Sequence, residues 1–314
     1  MNKTILVSFL VLLGFSGFTQ SPDALMVYSV KGKATVSNNI KGIKDQPVKI
    51  GSALDQTDII RTEKNTSLVM ICSRGKALLL NKEGIFPVKF WKDSCADTKG
   101  SMSTSYFRYI WGQMYSYSPE NKEAARRRSD MAVVRGDETP VSSGTTKPGK
   151  LTFSKGMDTV NYASQLDNFP LSWTMPNYKG KFIFKLYNAK GTKLLYQDTL
   201  RANFILISSF RDKMEPGKSY RWSVAMKNGG PSKKRVLNYL SSADIIDTYL
   251  SGLQLPAGIE EDSAAAAFRA AYMLEQKHYL EAAMLWYERA DAASPDNPVF
   301  RDQLIRFRNE FWVR

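Results

Sequence analysis

The chain has 314 residues, of which 43% are hydrophobic and 24% are charged, and this composition excludes a disordered protein and fits two or three domains. One histidine and two cysteines exclude a tetrahedral metal site, so we expect no metal and no cofactor. The net charge of +14 is uneven, because residues 151–235 hold 15 basic and 5 acidic side chains whereas residues 236–314 hold 7 and 12. This asymmetry predicts a charged partner or docking within the chain.

Residues 1–20 are predicted to be a signal peptide. Lys3 provides the basic start, and an apolar run from residue 5 to residue 18 follows. The run is too short to cross a bilayer comfortably but suits the core of a signal peptide. We therefore expect an exported protein, periplasmic or extracellular, without stable membrane insertion after cleavage. An uncleaved anchor is the alternative.

Export changes the interpretation of the two cysteines. Cys72 and Cys95 would meet an oxidising compartment, where an even number of cysteines predicts a disulfide. Two buried free thiols are the alternative.

Residues 21–100 are predicted to form an all-β domain. Short apolar runs, LMVYSV, KATVSN, PVKI, SLVMIC, KALLL and FPVKFW, are separated by turn signals such as KGK and NKEG. The stretches VKGKATVS and PVKIGSALDQTDIIRTEKNTSLVMIC resemble the FecR-like β domain of bacterial envelope proteins. The family includes periplasmic parts of signal-transducing regulators, but this chain shows no retained membrane helix ahead of the domain.

Residues 101–149 are predicted to be a helical connector and linker. Phe107 and Trp111 share one face of a helix predicted over residues 102–135, and we expect this face to pack on the β domain. A surface that stacks on sugars or peptides is the alternative. Arg126, Arg127 and Arg128 form a basic run that is either a solvated face or part of a basic patch. Residues 136–149 have linker composition.

Residues 150–238 again predict strands, with a hairpin at NAKG. The stretches FPLSWTMP, GKFIFKLYNAKGTKLL and MEPGKSYRWSVAM resemble an immunoglobulin-like or fibronectin-like sandwich, in which Trp173 and Trp222 would form the aromatic core. Such a sandwich carries no chemistry of its own. Its lysines predict an exposed basic patch, although lysines also serve solubility and protect sheet edges. The patch candidates are Lys179, Lys181, Lys185 and Lys193.

Residues 239–314 are predicted to be helical, near residues 242–253, 261–276, 279–293 and 297–312. The stretch AAYMLEQKHYLEAAMLWYERADAASPDNP resembles one tetratricopeptide repeat. The resemblance implies a groove that holds a peptide or a partner helix. The residues assigned to that groove are Ala271, Ala283, Tyr287 and Ala290.

A lone repeat needs something to cover its apolar face, since one repeat cannot bury that face by itself. The helix at residues 242–253 carries Ile245, and the last helix carries Ile305 and several phenylalanines. We expect these helices to close a self-contained core, which would dock electrostatically on the basic sandwich or on a basic partner.

The predicted fold class is therefore multidomain α+β: a FecR-like β domain, a helical connector, an Ig-like sandwich and a repeat-like helical domain. No motif for nucleotide binding or serine hydrolysis occurs, and His278, the sole imidazole, falls in a predicted turn. We expect a non-catalytic envelope protein that binds other envelope proteins as an adaptor, with no nucleic acid as partner. The alternatives are binding of an anionic envelope polymer or glycan by the basic sandwich, and a hydrolase or transferase with an unrecognised site.

Overall fold

The computed structural model describes residues 25–91, 93–95, 102–117, 149–166, 168–227, 229, 230, 232–253, 255 and 259–312. The predicted signal peptide, the arginine run at residues 126–128 and the predicted linker up to residue 148 lie outside these ranges. Within them the chain is a mixed α+β protein, with antiparallel sheets first and helices at the C-terminal end, which confirms the predicted mixed class.

The N-terminal part consists of two four-stranded antiparallel sheets with the strand orders β4-β1-β6-β7 and β3-β2-β5-β8. Leu25, Ile60 and Met70 are buried between them. The strands are β1 (Leu25–Lys31), β2 (Ala34–Asn38), β3 (Ile43–Pro47), β4 (Ala53–Leu54), β5 (Ile59–Thr62), β6 (Ser67–Cys72), β7 (Ala77–Leu80) and β8 (Gly84–Pro87).

Several strand predictions in this part need correction. The run FPVKFW was predicted to be a strand, but only Phe86 and Pro87 belong to β8, and Val88–Trp91 form a 3₁₀ helix. The run PVKI was predicted to be a strand, but only Pro47 belongs to one, since β3 ends there and a single further bond, from the backbone N–H of Val48 to the carbonyl of Ala34, follows at 2.9 Å. The strand β3 itself is polar and mostly exposed, so it carries no apolar pattern that would have revealed it.

The sheet β4-β1-β6-β7 is buried on both faces, which explains why β1 and β6 are almost continuously apolar. Leu68 and Met70 face the other sheet, whereas Met26 and Val69 belong to a second, much larger core. Helix α1 (Met102–Tyr117) covers that second face.

The aromatic face of α1 packs on the β domain, as predicted. The ring centroids of Phe107 and Tyr28 are 5.4 Å apart in an edge-on contact. The predicted disulfide is also confirmed: Cys72, at the end of β6, is bonded to Cys95, and their Cα atoms are 5.8 Å apart. This bond ties the end of an inner strand of the sheet to Cys95, which precedes α1 in the chain.

The middle part has a five-stranded sheet, β12-β11-β14-β15-β9, and a two-stranded sheet, β10-β13. All strand pairs are antiparallel except β15 with β9. Trp173 and Trp222 are fully buried, and the NAKG hairpin joins β11 to β12, both as predicted. The strands are β9 (Thr159–Tyr162), β10 (Pro170–Ser172), β11 (Phe182–Tyr187), β12 (Leu194–Leu200), β13 (Phe204–Leu206), β14 (Ser219–Met226) and β15 (Arg235–Tyr239).

Four helices follow close to the predicted positions, and two of them begin with a side-chain cap. The Asp262 side chain accepts the backbone N–H of Ala265 at 2.7 Å, and Asn297 accepts that of Val299 at 3.0 Å. The helices are α2 (Asp244–Ser251), α3 (Ser263–Gln276), α4 (Leu280–Ala293) and α5 (Pro298–Phe311). No helix among the described residues is long and apolar enough to cross a membrane.

The apolar face of the helix pair α3–α4 is covered from three sides, by α1, by α5 and by the middle β part. Tyr109 of α1 stacks on Tyr272 of α3 with ring centroids 4.5 Å apart. The prediction of a self-contained helical core is therefore wrong, because one continuous apolar core joins β1, β6, α1, the middle sheets and all four C-terminal helices. Ile245 and Ile305, which were predicted to lie in that core, are exposed.

The contact between the helices and the middle β part also differs from the predicted electrostatic docking. The backbone N–H of Asn161 donates to the carbonyl of His278 at 2.9 Å, and Ser172 Oγ donates to the carbonyl of Phe311 at 3.1 Å. Between the side chains that the structure describes, no salt bridge joins the two parts. Apolar packing and hydrogen bonds form this contact.

Candidate anion-binding face

The side chains of strand β11 alternate strictly between the two faces of the sheet. Phe182, Phe184 and Leu186 are buried inside the middle core, so Lys185 and its neighbours on alternate positions point outward. The same alternation places Lys181, immediately before the strand, on the outer side. The period-two alternation of this strand therefore places Lys181 and Lys185 in one outward row.

Strand β14 continues the pattern beside β11. Trp222 and Val224 are buried in the core, so Arg221 and Ser223 belong to the outer side. The register sets Ser223 opposite Lys185. At the end of the strand, the backbone N–H of Lys227 donates to the carbonyl of Lys181 at 3.0 Å, which places these two lysines side by side.

The next strand, β15, adds one more cation just before its first residue. Lys234 Nζ lies 4.2 Å from the ring centroid of Tyr187, an outward side chain of β11, so Lys234 also reaches across the outer side. We call the five cations on this side the basic face. Its members are Lys181, Lys185, Arg221, Lys227 and Lys234.

None of these five cations forms a salt bridge with a described residue. The polar contacts of two of them are to neutral oxygens: Arg221 Nε to the carbonyl of Ala189 at 3.4 Å, and Lys234 Nζ to the carbonyl of Gly191 at 2.6 Å. Some lysines elsewhere have carboxylate partners, as Lys31 has in Glu260 at 2.8 Å, whereas Lys49, Lys64 and Lys82 have none among the described residues. Within the described ranges, no carboxylate therefore neutralises the charge of the basic face.

The structure divides the predicted patch. It brings Lys181 and Lys185 together with three cations that the sequence analysis did not single out. Lys193 is exposed on the hairpin beside the face, and Lys179 is exposed in the loop before β11. The arginine run lies outside the described residues. The alternation in YRWSVAMK could have revealed Arg221 and Lys227, but no local pattern marks Lys234.

The predicted repeat groove is not an open surface. Ala271, Ala283, Tyr287 and Ala290 are all completely buried in the core. The Tyr287 hydroxyl donates to Glu275 at 2.7 Å, and its ring packs on Phe268 and Phe307. Since α1, α5 and the middle β part cover the helix pair, these positions pack helix on helix and leave no room for a peptide.

A buried polar cluster lies between β1, α1 and α3. The hydroxyl groups of Tyr28 and Tyr106 are 3.1 Å apart, Tyr28 donates to Glu261, and Arg269 Nε donates to Glu261 at 2.9 Å. Burial raises the pKa of both tyrosines well above the ordinary value. The adjoining cavity has a volume of about 50 Å³, far below that of a substrate pocket. The cluster therefore joins the N-terminal sheet to the helices.

The remaining titratable groups give no metal centre or triad. Among the described residues, no three histidine, cysteine, aspartate or glutamate side chains group as metal ligands would. His278 lies in the turn between α3 and α4, as predicted, with a φ angle of 60°. The basic face is thus the strongest candidate for a functional site.

Comparison of the chain with protein-family models gave no match, and comparison with curated proteins gave none either.

Proposed function

We propose that this protein is an exported, non-catalytic binding protein that holds an anionic polymer of the cell envelope on its basic face. The observation that carries the proposal is the set of five cations on one side of a single sheet, without a carboxylate partner among the described residues. Such a face attracts a polyanion over several ångströms, and each anionic group that contacts it adds to the favourable binding free energy.

The composition of the face favours a polymer over an acidic protein. Protein interfaces are rich in aromatic and apolar anchors and poor in lysine. Here four of the five cations are lysines, and the outward side chains between them include Ser223 and Ala225 as well as Ile183 and Tyr187. A flat, lysine-rich sheet suits an extended chain of repeated negative charges.

Three domain identities form part of the proposal. We infer that the two N-terminal sheets are a FecR-like domain, supported by glycines with positive φ at the turns of the resemblance, Gly32 and Gly51. We infer an Ig-like domain for the middle sheets, supported by the Trp173 and Trp222 core, and one tetratricopeptide-like pair for α3 and α4. Export is supported by the disulfide, since disulfides persist in oxidising compartments.

An adaptor role toward an envelope protein is the second candidate. Its support is the outer side of the sheet β3-β2-β5-β8, where Ile85 is 60% exposed beside Ile43 and Ile59. These side chains line an open groove of about 490 Å³. Exposed apolar surface of this kind is typical of protein contacts.

The test is retention of the full chain on an immobilised anionic polymer, compared between two triple charge reversals. The first is Lys181→Glu, Lys185→Glu and Lys227→Glu, all on the basic face. The matched control reverses three exposed lysines of the N-terminal part that form no described salt bridge, which are Lys49, Lys64 and Lys82. Both variants change the net charge equally.

We expect the basic-face variant to elute at clearly lower salt than the wild type, and the control to shift much less. Retention of the wild type should fall steeply with ionic strength. Equal shifts for the two variants would show that only net charge matters and would remove the proposal. The adaptor role replaces the polymer proposal under a different result. In that result the polymer is not retained, an envelope protein binds, and Ile85→Glu abolishes that binding.

A further inference from the structure

Two cations of the basic face converge on one turn. Arg221 Nε and Lys234 Nζ contact the carbonyls of Ala189 and Gly191, which lie two residues apart on the β11–β12 hairpin. A Cβ atom placed on Gly191 would lie 3.6 Å from Arg221 Cγ and 3.6 Å from Lys234 Nζ. The two side chains therefore approach each other around Gly191, although like charges repel.

A third cation, Lys185, belongs to the same part of the basic face. It lies on β11 opposite Ser223 of β14, and Ser223 is two residues from Arg221 on the same face. Lys185 is therefore the neighbour of Ser223 on one adjacent strand, and Lys234, just before the Arg235 that pairs with Trp222, is its neighbour on the other side.

The buried hydroxyl of Ser223 is an independent observation that points to a ligand. Its side chain is 1% exposed, and its hydroxyl has no hydrogen-bond partner among the described residues. A buried hydroxyl without a partner is uncommon in native proteins, and an ion is one explanation. Lys185 and Lys234 have long flexible stems, so an anion can displace them and reach this donor.

We propose that Lys185, Arg221, Ser223 and Lys234 form a subsite for one phosphate group of the polymer, which rests on the proposed function of the basic face. The four donor residues come from three adjacent chain segments of the sheet. A tetrahedral phosphate can offer a separate oxygen to the guanidinium, to the ammonium groups and to the hydroxyl, whereas a carboxylate has only two coplanar oxygens.

The test uses inorganic phosphate as the probe, titrated into the full chain by calorimetry, with acetate and sulfate at equal ionic strength. Ser223→Ala removes the hydroxyl and keeps all five cations. We expect it to weaken phosphate binding about tenfold, the effect of one hydrogen bond to a charged group, and to leave acetate binding unchanged. Arg221→Lys, which keeps the charge but loses the planar fork, should weaken phosphate binding to a similar extent.

Ser219→Ala is the matched control. Ser219 lies on the same face of β14, beyond Arg221, and its hydroxyl already has a partner in Asn238 at 2.7 Å. This variant should bind phosphate like the wild type. Far-UV circular dichroism of each variant checks that the fold is kept.

The outcomes separate the subsite from the proposed function. If Ser223→Ala binds phosphate as tightly as the wild type, or if acetate binds as tightly as phosphate, the subsite is refuted, even where polymer retention by the basic face persists. Tighter binding of sulfate than of phosphate would also overturn the ligand assignment. If phosphate binding depends on Ser223 but no anionic polymer is retained, the proposed function falls and the subsite stands.

Discussion

Glu281 gives the sharpest test of how the helices are attached to the middle β part. It lies in the first turn of α4 and its side chain is completely buried. Its carboxylate accepts the backbone N–H of Ala163 at 2.8 Å and that of Leu166, both from the loop that follows β9. Glu281→Ala would leave these two N–H groups in the contact without an acceptor.

The magnitude follows from the two lost partners. An unsatisfied buried donor costs about 1–3 kcal/mol, so two of them cost roughly 2–6 kcal/mol. Part of this is offset, because burial raises the pKa of the Glu281 carboxyl and the alanine avoids the cost of burying its charge. We expect Glu281→Ala to lower the free energy of unfolding by about 2 kcal/mol. With a urea slope of about 3 kcal/mol/M, the midpoint falls by roughly 0.7 M.

The assay is urea unfolding of the full chain at neutral pH, followed by tryptophan fluorescence and circular dichroism. The control is Glu288→Ala on the same helix, which removes a partly exposed salt bridge to Arg308 of 2.8 Å and should cost less than about 1 kcal/mol. If the two variants lose equal stability, the buried carboxylate does not hold the loop and the reasoning is wrong.

The pH dependence of the same residue has a definite sign. Because the folded pKa of Glu281 is raised above the ordinary value of 4.5, its titration stabilises the fold at low pH, and this contribution is lost as the pH rises through the folded pKa. Glu281→Gln cannot titrate. The wild type should therefore gain stability relative to Glu281→Gln as the pH is lowered from neutral toward 4.5. A difference that grows with rising pH would contradict this sign.

Three further outcomes are expected. Residues 239–314 expressed alone should show little helix by circular dichroism, since α1 and the middle β part cover their apolar face, and a cooperative melt of this fragment would refute the shared core. Replacing both Cys72 and Cys95 by alanine should lower the free energy of unfolding by roughly 3 kcal/mol, as expected for a sequence separation of 23 residues, and intact mass after alkylation should show no free thiol in the wild type. Ser223→Ala should leave the melting temperature unchanged or raise it slightly, because the hydroxyl that it removes forms no hydrogen bond with a described residue.

Local chemistry made several elements predictable. Asp262 and Asn297 are side chains that favour helix starts, and each caps the helix that follows. The NAKG turn requires a positive φ, and Gly191 provides it at 73°. Even the inner side of β11 follows from alternation alone.

Long-range packing was not predictable in the same way. Nothing local in α1 shows that Tyr109 will stack on Tyr272, because the two lie more than 160 residues apart and their patterns only indicate amphipathic helices. The repeat resemblance therefore suggested a groove at Ala283 that the neighbouring elements fill. Likewise, Lys234 joins the basic face only through strand pairing, which a single sequence does not reveal.

The contacts of α1 set the order in which this chain can fold. Gln113 of α1 receives a hydrogen bond from Gln303, 190 residues later, and Tyr28 bonds to Glu261, 233 residues later. The N-terminal sheets and α1 can pack on each other early, but the side of α1 that carries Tyr109 stays uncovered until Phe268 and Tyr272 are available. Until the C-terminal end is available, the growing chain exposes apolar surface that invites aggregation, so we expect its maturation to depend on a holding chaperone.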